Sequence, residues 1–312
     1  MISLIQLEYI VALDTYKSFS LAADKCFVTQ PTLSMQIKKM ETDLGIIIFD
    51  RTKQPIVVTD IGRMIVEQAR QVISESKKIE ELIQWSKNSL TGDLKIGVIP
   101  SIAPYLLPMF LGDFARKYPG IKISVREMLT SEICDELKSE TIDVGILATP
   151  LEIPGFNETP LYYEQLKMYC NKQHELSKFT EIKLSQIKPE NLWLLSQGHC
   201  FRNQVINLCK LKDDKMTLPF KYESATIETL IKFVDREGGI TLIPELACND
   251  LSDSRKKNAK SIKDINPVRE VSLVTNRVFV KQRILKALEE GILEIIPDEM
   301  KDKKRGEIVE WK

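Results

Sequence analysis

The run Ser18–Arg51, SFSLAADKCFVTQPTLSMQIKKMETDLGIIIFDR, determines the fold of the N-terminal part of this chain. It predicts a short helix over Leu21–Cys26 with Ser20 as N-cap, because a serine oxygen can accept a hydrogen bond from a free backbone amide of the first turn. A longer helix follows from Pro31, since proline is favoured at the first helical position. The inner face of this helix is apolar at helical spacing: Leu33, Ile37, Met40 and Leu44. With a further helical repeat over residues 4–13, the pattern predicts a helix-turn-helix unit.

The outer face of the longer helix is small, polar and basic, which suits contact with base edges and phosphates. Its members are Thr32, Ser34, Gln36, Lys38 and Lys39. Residues 44–53 predict a short strand and residues 57–59 its return, which together make a β-wing. Three-helix units also occur in proteins that do not bind DNA, so this pattern alone leaves the function open.

The quoted run and the wing resemble the winged helix-turn-helix of LysR-type transcriptional regulators over residues 1–60. The resemblance implies a DNA-binding domain at 1–60 with double-stranded promoter DNA as partner. The base-contacting positions of the family correspond to Thr29, Gln30, Pro31, Thr32 and Ser34. The positions near the DNA backbone correspond to Lys38, Arg51 and Lys53.

The composition of the 312 residues is that of a globular protein, with 43% hydrophobic and 28% charged residues. The formal net charge is zero, so bulk charge gives no support for nucleic-acid binding. No apolar run approaches the length of a membrane span, and the N-terminus lacks the pattern of a signal peptide. We therefore expect a cytoplasmic protein without a membrane partner, in which stable disulfides are rare and mostly redox-active.

Residues 61–92 predict a linker helix with an apolar seam, whose members alternate four and three positions apart. The seam comprises Ile65, Ala69, Val72, Ser76, Ile79 and Ile83. An isolated helix cannot bury such a seam, so it pairs either with a second copy or with the body of its own chain. The LysR resemblance favours the second copy, because the linker helices of that family dimerise the DNA-binding heads.

Residues 93–312 alternate short apolar strands with helices, which indicates an α/β fold with a mainly parallel sheet. The predicted strands are Leu94–Ile99, Ile121–Val125, Asp143–Leu147, Leu161–Asn171, Leu192–Leu195, Ile240–Ile243 and Val271–Thr275. The resemblance implies a two-lobed, periplasmic-binding-protein-like regulatory domain, with two chain crossings between the lobes. Lobe I is expected at 93–165 and 269–312, and lobe II at 166–268. The charged tail from Lys301 is expected to be loosely ordered.

The stretch Gly198–Cys209, GHCFRNQVINLC, has a cysteine near its start and another at its end. His199 and Arg202 flank Cys200, and a neighbouring cation or hydrogen-bond donor favours the reactive thiolate. If the stretch were helical, its two cysteines would lie about 13 Å apart, whereas a disulfide needs Cα atoms within about 7 Å. A bond between them would therefore require the helix to rearrange. Spacing alone is equally compatible with two small buried hydrophobic residues.

The same stretch, together with LKIGVIPSIAPYLLP (residues 94–108) and GGITLIP (residues 238–244), resembles the hydrogen-peroxide-sensing branch of the LysR family. The resemblance implies that peroxide oxidises Cys200 to a sulfenic acid and that a disulfide to Cys209 follows. The peroxide-contacting positions of the family correspond to Ser101, Thr130, His199, Cys200 and Arg202. Serine replaces the usual threonine at 101, and Asn203 replaces a common aspartate.

The resemblance also implies a transcriptional activator rather than an enzyme, assembled as a homodimer or homotetramer. Its implied partners are hydrogen peroxide, RNA polymerase and a thiol reductant. No cofactor or metal is expected, because His199, Cys200 and Cys209 lack a fourth zinc ligand at the usual spacing. The other cysteines, Cys26, Cys134, Cys170 and Cys248, have apolar neighbours and are interpreted as packing residues.

Two alternatives belong to other functional classes. A LysR-type regulator could bind a small metabolite between the lobes, with the cysteines incidental. A thiol peroxidase would instead turn over continuously, although the N-terminal helix-turn-helix argues against it.

Overall fold

A computed structural model of the chain describes residues 2–86, 90–188, 191–210, 224–277, 279 and 281–311. The chain forms two compact units. The first comprises Met1–Ser89 with Val278–Lys281, and the second comprises Leu90–Arg277 with Gln282–Lys312.

The first unit contains four helices and a small hairpin. Its elements are α1 (Leu4–Tyr16), α2 (Phe19–Lys25), α3 (Gln30–Leu44), β1 (Phe49–Asp50), β2 (Val57–Val58) and α4 (Asp60–Ser86). The predicted N-cap at Ser20 is wrong, because α2 begins one residue earlier and the Ser18 side chain accepts from the Leu21 amide. Thr29 caps α3 by accepting from the Thr32 amide at 3.4 Å, and Pro31 lies in the first turn as predicted.

The core of the first unit is built from the inner faces of its helices. Ile10 and Leu13 of α1 pack with Leu33, Ile37 and Met40 of α3. Leu44 was predicted to complete this face but is 38% exposed, because α3 ends there at Gly45.

The wing is shorter than the predicted strand over 44–53. Only Phe49–Asp50 pairs with Val57–Val58. The amides of Ile48 and Phe49 donate instead to one carboxylate oxygen of Glu41, at 2.9 and 3.1 Å. This carboxylate ties the start of the wing to α3, which explains why the ladder begins so late.

The apolar seam of α4 is divided between two surroundings. Ala69 is buried in the core of the first unit, together with Val66. Val72 and Ile79 are 41% and 61% exposed. The side chain of Ile83 lies outside the described residues. The seam therefore packs partly on its own chain and leaves two apolar side chains uncovered.

The second unit has a nine-stranded sheet in the order β4-β3-β5-β10-β6-β9-β7, with β11 beside β10 and β8 beside β6. The strands are β3 (Gly92–Val98), β4 (Ile121–Glu127), β5 (Val144–Thr149), β6 (Phe156–Cys170), β7 (Glu181–Ile182), β8 (Ile240–Pro244), β9 (Ala259–Ile262), β10 (Pro267–Asn276) and β11 (Glu307–Ile308). The helices are α5 (Ala103–Lys117), α6 (Thr130–Lys138), α7 (Cys200–Cys209), α8 (Ile227–Glu237), α9 (Glu245–Asn249), α10 (Asp253–Lys256), α11 (Gln282–Ile295) and α12 (Asp298–Lys301).

The sheet is mixed rather than mainly parallel as predicted. The pairs β3–β4 and β3–β5 are parallel, whereas β10 is antiparallel to both β5 and β6. The cause is that the chain leaves the first lobe along β6 and returns along β10, so the two crossing strands run in opposite directions. Beyond the crossing, β6 continues and pairs with β8 and β9 of the second lobe. Leu192–Leu195 is not a strand, since only isolated bridges from Leu192 and Leu195 are formed.

The tail from Lys301 is ordered as far as Trp311, so the expectation of a loose tail is wrong. Arg305 forms a salt bridge with Glu245 at 2.7 Å. Strand β11 pairs with the start of β10, and the indole nitrogen of Trp311 donates to the carbonyl of Pro150 at 2.9 Å. The charge of Lys303, Lys304 and Arg305 suggested disorder, but the apolar residues beyond them attach the tail to the sheet.

No helix within the described ranges is both long and apolar enough to span a membrane.

Candidate functional site

Helix α7 carries the two cysteines of interest as its first and last residues, Cys200 and Cys209. Both thiols are free. The helix rises 1.5 Å per residue, so nine steps separate the two Cα atoms by roughly 13 Å. This geometry confirms the helix that the sequence analysis considered, and it is too long for a disulfide without unwinding.

The surroundings of Cys200 are buried and polar. Cys200 is 4% exposed, and Thr130, the first residue of α6, packs against it from the first lobe. Burial raises the pKa of the Cys200 thiol, while the Thr130 hydroxyl and the charge of Arg269 act in the opposite direction. The local sequence suggested that flanking residues would favour the thiolate. The structure shows burial as the larger effect, so Cys200 is a protonated thiol at neutral pH in this state.

Arg269 is the cation that acts on Cys200, and sequence reasoning missed it. It lies on β10, is completely buried, and its guanidinium lies 5.3 Å from the centre of the Phe201 ring. Its Nε donates to Glu164 of β6 at 2.6 Å. A buried charge of this kind needs a partner, and Glu164 supplies it from the neighbouring crossing strand.

Ser101 is connected to the same arginine. The hydroxyl and the backbone carbonyl of Ser101 accept from the two terminal nitrogens of Arg269, each at 2.9 Å. Because Ser101 Oγ is already an acceptor in this pair, its own proton remains free to be donated elsewhere. Ser101 and Cys200 are therefore linked through one guanidinium.

His199 and Arg202 lie at the start of α7. His199 is the N-cap residue, its ring is buried, and burial lowers its pKa so that it is neutral at pH 7. Arg202 donates to the backbone carbonyl of Leu195 at 3.0 Å. The structure thus brings Ser101, Thr130, His199 and Cys200 to one region, with Arg202 on the same turn.

Cys209 occupies a different environment at the other end of α7. It is half-buried among apolar side chains, and burial alone raises its pKa to about 12. No charge opposes this effect among the described residues that shift its pKa. Its thiol is therefore inert while α7 is intact.

Several buried polar atoms of this unit have no hydrogen-bond partner among the described residues. They are Tyr105 Oη, Thr130 Oγ1, Tyr162 Oη and Gln204 Oε1. Burial raises the pKa of Tyr162, whose phenol feels the charges of Glu164 and Arg269. Buried polar atoms are normally paired, so such groups can bind a small polar molecule.

Two side chains of α7 contact the C-terminal tail. Gln204 Nε2 donates to the carbonyl of Val309 at 2.9 Å, and Asn207 Nδ2 donates to the carbonyl of Glu310 at 3.0 Å. These contacts join the helix to the end of the chain across about a hundred residues of sequence.

The predicted DNA-contacting residues lie on or near the exposed side of α3. Thr29, Gln30, Pro31 and Lys38 are exposed, and Thr32 and Ser34 are partly exposed. Lys53 lies in the exposed turn of the wing.

Arg51 is less free than a phosphate-contacting side chain at the tip of a wing. It forms a salt bridge with Glu41 of α3 at 2.8 Å, and its guanidinium lies 5.3 Å from the centre of the Phe19 ring. Arg51 therefore fixes the wing to α3, in addition to any contact with DNA.

Among the described residues, no group of three or more histidine, cysteine, aspartate or glutamate side chains is arranged to hold a metal ion. The remaining cysteines fit packing roles. Cys134, Cys170 and Cys248 are buried and Cys26 is half-buried, and burial raises the pKa of each thiol.

Comparison with known families matches both units of the chain. Residues 4–63 match the bacterial regulatory helix-turn-helix of the lysR family, and residues 87–294 match the LysR substrate binding domain.

Two characterised relatives are similar over most of the chain. The "Hydrogen peroxide-inducible genes activator" of Haemophilus influenzae is 34% identical over 295 residues, which are 95% of this chain and 96% of that protein. The "DNA-binding transcriptional dual regulator OxyR" of Escherichia coli K12 is 35% identical over 242 residues, covering 77% of this chain and 78% of that protein.

Solved structures give the same picture. A full-length OxyR variant from Pseudomonas aeruginosa is 30% identical with a TM-score of 0.78, covering 95% of this chain and 99% of that one. A hydrogen-peroxide-bound OxyR variant from Corynebacterium glutamicum is 26% identical with a TM-score of 0.61, covering 94% and 92%.

Proposed function

Because the chain belongs to the LysR family of bacterial regulators, within its peroxide-responsive OxyR branch, we propose that hydrogen peroxide switches it through Cys200 and Cys209. The chain is a redox-sensing transcription regulator. The observation that carries the proposed switch is that both cysteines terminate one helix, and that only one end of it is polar.

The first chemical step takes place at Cys200. The thiol loses its proton, and the thiolate attacks one oxygen of peroxide and breaks the O–O bond. The other oxygen leaves as hydroxide and takes up a proton to become water, which leaves a sulfenic acid on Cys200. Arg269 and Thr130 both lower the pKa of Cys200, so they promote the ionisation that starts the step.

Peroxide is small and neutral, so it must be recognised by oriented hydrogen bonds. The Ser101 and Thr130 hydroxyls and the neutral His199 ring can each donate or accept. Ser101 has its acceptor side occupied by Arg269, so it would donate to the peroxide. Arg202 is the remaining proposed contact, on the same turn of α7.

In the second step Cys209 displaces the hydroxyl of the sulfenic acid, which leaves as water, and a disulfide forms. The two sulfurs cannot meet until α7 unwinds. Closing a ten-residue loop stabilises the oxidised form by about 2.7 kcal/mol before strain. This is comparable to the loss of a few contacts, so the two states can be nearly balanced and a cellular thiol reductant can reset the switch.

The reader of the switch is the helix-turn-helix. Thr29, Gln30, Pro31, Thr32 and Ser34 are proposed to contact bases in the major groove, and Lys38, Arg51 and Lys53 the DNA backbone. Phosphate contacts position the protein, whereas base contacts give sequence preference.

The partners follow from the same proposal. The exposed side chains of Val72 and Ile79 support pairing of α4 with a second copy in a homodimer, with a homotetramer as the full assembly. RNA polymerase is the proposed target of the activated state, and binding to promoter DNA places the protein in the cytoplasm. Oxidation is proposed to be a stoichiometric signal rather than enzymatic turnover. The domain boundaries at 60, 92, 165 and 268 remain predictions.

Binding-site selection followed by footprinting tests the proposal. We expect reduced protein and protein treated with one equivalent of peroxide to protect different lengths of the selected DNA. An unchanged footprint with peroxide, but a change with a small metabolite, would favour the metabolite-binding alternative. Continuous peroxide consumption with a thiol reductant, independent of DNA, would favour a thiol peroxidase.

A further inference from the structure

The last ordered residues of the chain, 307–311, lie between the sheet and α7, and we refer to them as the C-terminal strap. On its sheet side, Glu307 and Ile308 pair with Pro267 and Val268 of β10. The amide of Val309 donates to the carbonyl of Val268 at 2.9 Å. The Trp311 indole adds its bond to the Pro150 carbonyl. One side of the strap is therefore fixed to a rigid strand.

The other side of the strap accepts hydrogen bonds from α7. Val309 is buried, and its carbonyl accepts from Gln204 in a fully buried bond. The carbonyl of Glu310 accepts from the exposed residue Asn207. Gln204 and Asn207 lie three residues apart, so they project from one face of the helix.

Both donors lie between the two cysteines in the sequence. Any path that brings Cys209 to Cys200 must move residues 201–208, while the strap remains paired with β10. The bonds from Gln204 and Asn207 to the strap must therefore break before the disulfide can close.

From this arrangement we propose that the C-terminal strap is a brake on the redox switch: it stabilises the helical, reduced state and so sets how readily the Cys200–Cys209 disulfide forms. The inference rests on the proposed redox function and extends it to the regulation of the same site. Loss of the strap contacts should weaken only the reduced state, because α7 is unwound in the oxidised state. The dithiol–disulfide equilibrium then moves toward the disulfide, and its midpoint potential becomes more negative.

The chain offers a matched pair of variants on α7. Asn203 and Asn207 are both exposed asparagines of this helix, and Asn207 is the one that bonds the strap. Replacement of either by alanine raises helix propensity and favours the reduced state by about threefold. Asn207→Ala also removes one strap bond, which is expected to favour the disulfide by about fivefold.

The experiment equilibrates the full-length wild type and each variant with glutathione buffers and measures the disulfide fraction by mass spectrometry. We expect the equilibrium constants of Asn207→Ala and Asn203→Ala to differ by about fivefold, with Asn207→Ala the more readily oxidised. Equal constants for the two variants would overturn the brake.

A third variant acts from the opposite side of the strap. Trp311→Phe removes the indole bond to Pro150 without touching α7, so it should shift the equilibrium toward the disulfide by about twofold to threefold. A shift toward the dithiol would contradict the proposal. Should the wild type form no Cys200–Cys209 disulfide in any buffer, the redox function itself would fail; a normal wild-type disulfide with indifferent variants would reject the strap alone.

Discussion

The two ends of α7 place the same kind of atom, a cysteine sulfur, in opposite surroundings. Cys200 is almost completely buried, yet Thr130 and Arg269 both act against the effect of burial on its pKa. Cys209 is more accessible, but only burial among apolar side chains acts on its thiol, and its pKa rises to about 12. Accessibility alone would therefore identify the wrong cysteine as the reactive one.

This contrast orders the chemistry. Peroxide meets a thiol whose ionisation is assisted, while the resolving thiol stays protonated in its apolar surroundings. Cys209 leaves those surroundings only when α7 unwinds, and its pKa then returns toward the ordinary range. Unwinding thus both shortens the distance between the sulfurs and activates the second one.

The largest expected effect comes from removing each sulfur in turn. Cys200→Ser should give neither a sulfenic acid nor a disulfide with equimolar peroxide, because the attacking thiolate is gone. Cys209→Ser should keep the first step and stop at a trappable sulfenic acid or pass to over-oxidation. Intact-mass spectrometry with a sulfenate trap distinguishes these outcomes from the 2 Da loss expected of the wild type.

Cys134→Ser serves as the control and should behave as the wild type, since burial raises the pKa of that thiol and peroxide has no assisted nucleophile there. A disulfide that still forms in Cys200→Ser would place the sensor elsewhere in the chain.

The next largest effect concerns the cation at the Cys200 end. Arg269→Met leaves Glu164 buried without its partner, which should lower the free energy of unfolding by about 3–5 kcal/mol. The pKa of Cys200 should also rise further, so peroxide should react more slowly. Urea unfolding and the pseudo-first-order peroxide rate measure the two effects.

Arg202→Met provides the comparison, because that guanidinium bonds the Leu195 carbonyl and is not buried against a carboxylate. It should cost about 1–2 kcal/mol. If Arg202→Met proved as destabilising as Arg269→Met, the assignment of the charged end to Arg269 would be wrong.

A third prediction tests the inert end. A thiol of pKa about 12 has roughly a thousandth of the thiolate of an ordinary thiol at pH 8, and its greater intrinsic nucleophilicity recovers about twentyfold of this. Cys209 of folded Cys200→Ser should therefore react about fiftyfold more slowly with an aromatic disulfide than the same cysteine in urea. Its rate should keep rising with pH beyond 9, because the folded pKa is raised. A plateau near pH 9 in the folded protein would contradict the apolar environment.

The smallest effect belongs to Thr130. Thr130→Val keeps the shape but removes the hydroxyl that lowers the pKa of Cys200, so the peroxide rate at neutral pH should fall about fivefold. Stability should change little, because that hydroxyl has no other partner among the described residues. A rate equal to that of the wild type would show that the hydroxyl does not assist Cys200.

Local signals in the sequence predicted the helices well. Thr29 and Pro31 fix the start of α3 through their own backbone preferences, and α7 follows from its composition. The one-residue error at α2 arose because Ser18 and Ser20 are both able to cap, and only the extended backbone at Ser18 decides between them.

Long-range contacts escaped sequence reasoning. Arg269 lies 69 positions after Cys200, in the apolar run PVREVSLVT, and a charge in such a strand was the only available signal of a buried partner. The direction of the sheet depended on the return of β10 beside β6, which no local pattern encodes. The order of the tail depended on Trp311 and Val309, which act through contacts with Pro150 and Val268.

The central claim is that closing the Cys200–Cys209 disulfide unwinds α7. Amide hydrogen exchange across residues 200–209, measured on the full chain before and after one equivalent of hydrogen peroxide, tests it directly. We predict slow exchange in the reduced protein and fast exchange in the oxidised protein, with a mass lower by 2 Da and a peptide linking Cys200 to Cys209. A disulfide between these residues with undiminished protection of the helix would contradict the claim.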